Sequence, residues 1–212
     1  LGTKKEAGEP SPFTLLLGDD LNKMTVYIAL LRGINVGGKN KIKMADLRLM
    51  CESIGLSQIE TYIQSGNVLF ESNEEEHTLQ RKLEHEIEKK FGFSVSVILR
   101  TADEWKRIML DCPFTVNEVT EAETANTEGE SLYVAMLSEA PQQEKLDELN
   151  SYKSKVDDYR INDRDLYLLF QHSIRNSKLA NNLQKLDVPI TIRNWKTINK
   201  LYAMVKARKA VT

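Results

Sequence analysis

The chain has few means of cross-linking or anchoring itself. Cys51 and Cys112 are its two cysteines in 212 residues. They show neither metal-ligand spacing nor a disulfide framework. Each falls on the apolar face of a helical pattern, so both read as reduced core thiols. No apolar run reaches the roughly 20 residues that a bilayer-spanning helix needs. The N-terminus has no basic, apolar and small-residue succession of a secretory signal. Histidine is equally scarce, and His77, His85 and His172 are dispersed. H-E-x-x-H, C-x-x-C and G-x-S-x-G are all absent. The sequence thus proposes no metal site and no cofactor, and it leaves any catalytic residue unknown. It places the protein in the cytoplasm, away from membranes.

Other absences are local. From Val188 to Thr212 there is no acid, while Arg193, Lys196, Lys200, Lys206, Arg208 and Lys209 are basic. Arg32–Lys43 carries Arg32, Lys39, Lys41 and Lys43, again with no acid. Asp111–Glu130 reverses the pattern, with six acids and no base. The net charge of −2 therefore hides a segregation that can attract an anion to one part of a nearly neutral surface.

What is present is an order of elements that occurs twice. Residues 1–23 lack a periodic apolar face and read as a disordered leader or a tag. From Met24 the pattern is strand (Thr25–Leu31), glycine-rich turn, helix (Met44, Leu47, Met50, Cys51 and Ile54 on one face), then a hairpin. The hairpin strands Ile59–Gln64 and Val68–Glu71 flank a Ser65-Gly66-Asn67 turn. A helix with Leu79, Leu83 and Ile87 at four-residue spacing stops at Gly92, and strand Val95–Leu99 leads into a helix around Trp105. After an acidic linker over 113–130 the order returns: strand Leu132–Leu137, helix Pro141–Asn150, hairpin Val156–Ile161 and Leu166–Phe170. Helix Ser177–Leu186, strand Pro189–Ile192 and helix Trp195–Arg208 complete it. The closing segments align, Val97-Ile98-Leu99-Arg100-Thr101 against Ile190-Thr191-Ile192-Arg193-Asn194. The predicted class is α+β, two ferredoxin-like (βαββαβ) repeats over 24–112 and 131–212, each a four-stranded antiparallel sheet with helices on one face and an extra helix behind it.

Three motifs carry polar chemistry. Gly33-Ile34-Asn35-Val36-Gly37-Gly38-Lys39-Asn40 satisfies G-x-x-x-x-G-K after a strand, but Asn40 stands where a magnesium-ligating Ser or Thr is required. No helix begins at Lys39 either. What survives is a glycine-rich backbone flanked by bases, suited to an anion nest, or a connection whose glycines satisfy backbone geometry alone. Ser65-Gly66-Asn67 offers a hydroxyl and an amide beside it, or a plain hairpin turn. Arg193-Asn194-Trp195 joins a guanidinium, an amide and an aromatic at a strand–helix junction, where Asn194 can be a helix N-cap and Trp195 a core residue.

With Met44 and Leu47, and with Leu30-Leu31-Arg32-Gly33-Ile34-Asn35-Val36-Gly37-Gly38, Thr61-Tyr62-Ile63-Gln64-Ser65-Gly66-Asn67-Val68 and Arg193-Asn194-Trp195-Lys196-Thr197, the chain resembles the bacterial domain-of-unknown-function family numbered 1697, from about Met24 onward. The resemblance implies a two-part α+β fold with a signature concentrated in those three places, and it implies no activity.

The expected function is binding of a phosphate-bearing anion: a nucleotide, a small phosphate compound or single-stranded nucleic acid. The expected ligand-binding residues are Arg32, Asn35, Gly37, Gly38, Lys39, Ser65, Gly66, Asn67, Lys178, Arg193 and Asn194. An enzyme using Lys39 or Ser65 in the same pocket, and an interaction or assembly protein whose motifs build the junction between repeats, remain as alternatives. Topology puts the Arg32–Lys43 loop and the first hairpin at one end of repeat one and Arg193 at the opposite end of repeat two. A single site therefore demands that unlike ends of the two repeats meet.

Overall fold

The computed structural model describes residues 24–209; the expected leader lies outside them. Two four-stranded antiparallel sheets, each with helices, make up a mixed α+β chain. The first comprises β1 (Thr25–Leu31), β2 (Ser57–Tyr62), β3 (Asn67–Ser72) and β4 (Val97–Thr101), in the order β2-β3-β1-β4. The second comprises β5 (Leu132–Leu137), β6 (Asp157–Asn162), β7 (Asp165–Phe170) and β8 (Ile190–Asn194), in the corresponding order β6-β7-β5-β8.

The strands read as continuous apolar runs because both of their faces are covered. In β1, Tyr27, Ala29 and Leu31 face one core with Val68, Phe70, Val97 and Leu99. Onto that face pack α1 (Met44–Ser53) and α2 (Glu76–Phe91), the latter through Leu79, Leu83 and Ile87. Gly92 ends α2 in the left-handed conformation at φ 79°, which suits a glycine C-cap. The alternate residues Ile28 and Leu30, with Leu69 and Ile98, belong to a second core shared by both halves. There they meet Val134, Met136 and Tyr167 of the other sheet, together with α3 (Ala102–Leu110) and α7 (Trp195–Lys209). Trp105 of α3 is fully buried and donates its indole N–H to the Ile198 carbonyl of α7 (3.2 Å), and the Tyr167 hydroxyl donates to the Ile108 carbonyl (3.0 Å). A third core lies beneath α5 (Gln143–Asn150) and the segment that follows β7.

Three local expectations change. The first hairpin turns through four residues, Ile63–Gly66, rather than through Ser65-Gly66-Asn67, with Ile63 at φ 49° and Gly66 at φ 75°. Asn67 is drawn into β3 by its pairing with Leu30 of β1. The acidic connection holds a helix, α4 (Val116–Ala125), which starts from a capping box between Thr115 and Glu118. Arg160 of β6 clasps it, donating to Glu118 and to the Pro113 carbonyl (2.6 Å) and stacking on Phe114 at 4.2 Å. The expected helix Ser177–Leu186 breaks into a 3-10 turn (Ile174–Asn176), the short α6 (Lys178–Asn181) and a second 3-10 turn (Leu183–Leu186). Asn181-Asn182 is a weak helix former, and the Asn182 side chain back-bonds to the Lys178 carbonyl at 2.8 Å. Among the described residues no helix is long and apolar enough to cross a membrane.

Two expected outcomes follow from this geometry. A Cβ on Gly66 would lie 2.7 Å from Ile34 Cδ1 and 2.8 Å from Leu31 Cβ, at a φ that side chains resist. Gly66→Ala should therefore lower the urea-unfolding free energy by about 1–3 kcal/mol. Hydrogen bonds from Arg160, then from Thr115, pull the Glu118 carboxyl from 4.5 down to about 2. Because the folded value is the lower one, this clasp is at full strength above about pH 4.5 and is lost as pH falls toward 2. Carboxyl-detected NMR titration should move the Glu118 midpoint up toward 4.5 in Arg160→Ala.

Candidate functional site

The halves meet through two arginine crossings in which the same contacts recur with the halves exchanged. From β8, Arg193 reaches into the first half. Its Nε donates to Asn67 Oδ1 (2.6 Å), and Nη2 donates to the carbonyls of Leu31 (3.2 Å) and Ser65 (2.9 Å). Nη1 donates to Thr191 Oγ1 (2.7 Å) and the Ile192 carbonyl (2.9 Å). From β4, Arg100 reaches into the second half in the same manner. Its Nε donates to Asp165 Oδ1 (3.1 Å), Nη2 to the carbonyls of Leu137 (2.8 Å) and Arg164 (3.0 Å), and Nη1 to the Leu99 carbonyl (2.8 Å). Leu31 and Leu137 end matching strands, and Asn67 and Asp165 begin matching strands. Unlike ends of the two halves are thus brought together, as a single site demands.

The crossings differ in charge. Arg100 is fully buried and has a carboxylate partner in Asp165 at 2.9 Å. Burial raises the Asp165 pKa, and Arg100 opposes that rise. Beside them Arg164 joins Glu76 of α2 (2.7 and 2.8 Å) and Glu104 of α3 (2.6 Å). Burial works against ionised Glu104, but hydrogen bonds from Thr101 and Arg164 outweigh it and hold the pKa below its usual value. At the other crossing Arg193 has only neutral partners. Burial lowers its pKa to about 10, below the usual guanidinium range.

The neutral crossing opens onto a cavity of about 610 Å³ lined by Arg32, Gly33, Ala180, Leu183 and the continuous stretch 187–193. Arg32 is exposed, and its guanidinium has no hydrogen-bond or ion-pair partner among the described residues. Thr191 is buried, and its hydroxyl accepts from Arg193 while its own hydrogen has no acceptor among the described residues. Asp187 is the one acid of the lining. The cleft beside the Arg100 crossing is acidic instead, lined by Glu104, Asp111, Asp163 and Asp165 with Arg107. Of the acidic stretch Asp111–Glu130 only Asp111 lines that cleft, and of the bases in the two basic stretches only Arg32 and Arg193 line the cavity.

The other expected residues divide into builders and exposed groups. Asn35, at φ 56°, pins the glycine-rich loop: its amide donates to the carbonyls of Ile42 (3.0 Å) and Gln64 (2.8 Å), and its oxygen accepts the Ile42 N–H (2.9 Å). Gly66 is buried under Ile34 and Leu31. The Asn67 amide donates to the Tyr62 carbonyl and to Ser65 Oγ, while Asn194 caps α7 by accepting the Thr197 N–H at 2.9 Å. Gly37, Gly38 and Lys39 form the exposed tip of the loop, where the Lys39 N–H turns back to the Val36 carbonyl. Lys178 is exposed on α6. None of these four lines the cavity. Sequence reasoning missed Arg100, Asp165, Arg164, Glu76, Glu104 and Thr191. The alignment of Arg100 with Arg193 was the available signal for the first two.

A buried cation whose removal strands a carboxylate costs more to lose than one whose removal strands neutral acceptors. Arg100→Ala should destabilise the fold by about 3–5 kcal/mol. Arg193→Ala should cost about 1–3 kcal/mol. Chemical denaturation of the two variants checks the order.

The chain matches no curated protein. Among solved structures it is similar to the conserved bacterial protein SP0830 from Streptococcus pneumoniae, with 28% identity, a TM-score of 0.67, and coverage of 86% of this chain and 99% of that one. The sequence pattern of the family described as "Protein of unknown function (DUF1697)" matches residues 24–167, so the glycine-rich loop and the first hairpin fall within the match and Arg193 beyond it. With most of its length matched, this chain belongs to the DUF1697 family.

Proposed function

We propose that this is a cytoplasmic binding protein made of two ferredoxin-like repeats that arose by duplication, and that it holds a phosphate-bearing anion in the cavity at the Arg193 crossing. One observation carries the reading: of two matching guanidiniums, Arg100 has a carboxylate and Arg193 has none, and the cavity lies at the second. All five N–H groups of Arg193 are engaged within the protein, so its contribution is its field. A charge 7–8 Å away in an effective dielectric near 20 feels about 2 kcal/mol. Direct contacts fall to Arg32 and the Thr191 hydroxyl, while Gly37, Gly38 and Lys39 stay on the exposed tip outside the lining. Nucleotides, small phosphate compounds and short single-stranded nucleic acid all carry the required group. The stacking aromatics that favour nucleic acid are not patterned on the central strands.

A second reading has its own support. Arg193 bonds Asn67 across the junction, and Asn35 and Gly66 shape the loop and hairpin that present its acceptors, which suits an interaction protein whose signature builds the interface between its repeats. An enzyme using Ser65 has less behind it, since Ser65 Oγ accepts from Asn67 and meets no base among the described residues.

Thermal-shift and calorimetric titration with pyrophosphate, ATP and a short oligonucleotide test the proposal. A ligand at a hundredfold excess over Kd should stabilise the fold by about 2.7 kcal/mol. Arg32→Ala should weaken binding by about 1.5–3 kcal/mol. If no probe shifts the melting curve, or Arg32→Ala binds as the parent does, the anion reading fails and the interaction reading takes its place.

A further inference from the structure

The cavity runs along a strand edge. Its lining includes every residue from Asp187 to Arg193, and β8 is the last strand of its sheet. The Ser138 N–H bonds the Pro189 carbonyl, and the β5–β8 register pairs Met136 with Thr191 and Val134 with Arg193. In an antiparallel ladder this alternation turns the main-chain groups of Pro189, Thr191 and Arg193 toward β5 and those of Ile190 and Ile192 outward. The Ile192 carbonyl accepts from Arg193 Nη1, whereas the Ile190 N–H has no partner among the described residues.

The matching edge in the first half is closed. On β4 the outward N–H of Val97, aligned with Ile190, donates to Glu84 Oε1 of the continuous helix α2 at 2.8 Å. In the second half the corresponding segment is broken, and Gln184 of its second 3-10 turn stands in the cavity wall without reaching the strand. One edge is capped by a carboxylate, and its counterpart is left open in a groove.

We propose that this groove takes an extended peptide as a fifth strand on the second sheet, with anionic side chains of the peptide set against Arg32 and the Arg193 crossing. The inference rests on the anion reading above and names the class of molecule that carries the anion. Strand addition draws affinity from main-chain hydrogen bonds and specificity from alternate side chains. The walls of the groove alternate in the required way. Ile190 and Ile192 belong to the apolar core beneath Leu183, while Thr191 and Arg193 turn to the face where Arg32 stands. A strand laid along β8 would set every second residue on the apolar side and the residues between them on the basic side. The partner chemistry is therefore a segment alternating apolar residues with phosphoserine or glutamate. A volume of about 610 Å³ suits a short segment rather than a folded surface.

The experiment is a fluorescence-anisotropy titration of the whole chain with labelled eight-residue peptides. One peptide alternates valine with phosphoserine, a second valine with glutamate, and a third valine with serine. The anionic peptides should bind, the phosphorylated one most tightly, and the serine peptide should be weaker by about tenfold or more. Arg32→Ala should weaken the phosphopeptide to a similar degree. N-methylation of the peptide backbone supplies the decisive readout. Methyl groups on alternate amides should abolish binding in one register and leave it nearly unchanged in the other, because only one set faces β8. Affinity indifferent to the N-methylation register overturns strand addition. Binding of pyrophosphate or ATP with Arg32 dependence, but of no peptide, overturns this inference and leaves the anion reading standing. Binding of none of these probes overturns both.

Discussion

Beyond the apolar core that the two halves share, their union depends on how strand-end carbonyls are satisfied away from water. Leu31 and Leu137 end the central strands where the sheets pack across α3 and α7, and a buried carbonyl without a donor costs about 1–3 kcal/mol. A guanidinium answers this need in a way an ammonium does not. Its planar fork meets two carbonyls with one nitrogen and the next strand with another, without further rotamer cost. Arg193 bonds Leu31 and Ser65 through Nη2, and Arg100 bonds Leu137 and Arg164 through Nη2. Because each arginine belongs to one half and its Nε and Nη2 acceptors to the other, neither half completes its own sheet ends.

The first hairpin and the glycine-rich loop are consequences of that need. The Ser65 carbonyl can face Arg193 because Gly66 takes a left-handed turn beneath Leu31, and Asn35 ties the loop to the same hairpin through the Gln64 carbonyl. The two crossings then diverge in electrostatics. A guanidinium facing a carboxylate recovers part of its desolvation cost from the pair, and the Arg164–Glu76–Glu104 network adds further compensation on that side. Arg193 has no such return, which is why burial moves its pKa downward.

The architecture was legible in the sequence because apolar runs, glycine stops and hairpin signals are local, and because their order occurs twice. Two of the misread elements, the first hairpin and helix α4, are decided by partners distant in sequence, whereas the broken helix after β7 follows from the local Asn181-Asn182 pair. Ile63 accepts a left-handed φ that no local preference gives a β-branched residue, since the four-residue turn lets Asn67 pair with Leu30. Helix α4 is polar enough to read as a linker; its capping box was visible as Thr115 and Glu118, but Arg160, 42 residues further on, clasps it. Among the candidate site residues, Arg193, Asn67 and Ser65 meet at one junction, an arrangement that the sequence offered as the alternative to a set of ligand contacts. The motif residues stand out for their polarity at strand ends, and polarity there answers a buried backbone as readily as a ligand. Arg32 and Thr191 differ from them because each keeps a donor without a partner among the described residues, which only coordinates reveal.

An open strand edge is normally a liability, since it invites pairing with other copies of the same sheet. Here the exposure is limited. Strand β8 is five residues long, and Arg193 occupies the Ile192 carbonyl, leaving few outward groups for a ladder. The groove walls carry Leu183 on one side and Arg32 on the other. A second sheet edge brought to this groove would carry its own neighbouring strand and helices into those walls, whereas a single narrow chain would not. The first half has the alternative arrangement, a continuous helix that brings Glu84 onto Val97. Both halves therefore meet the same requirement of blocking edge-to-edge growth, one by capping its edge and the other by recessing it, and only the recessed edge keeps its backbone within reach of a ligand.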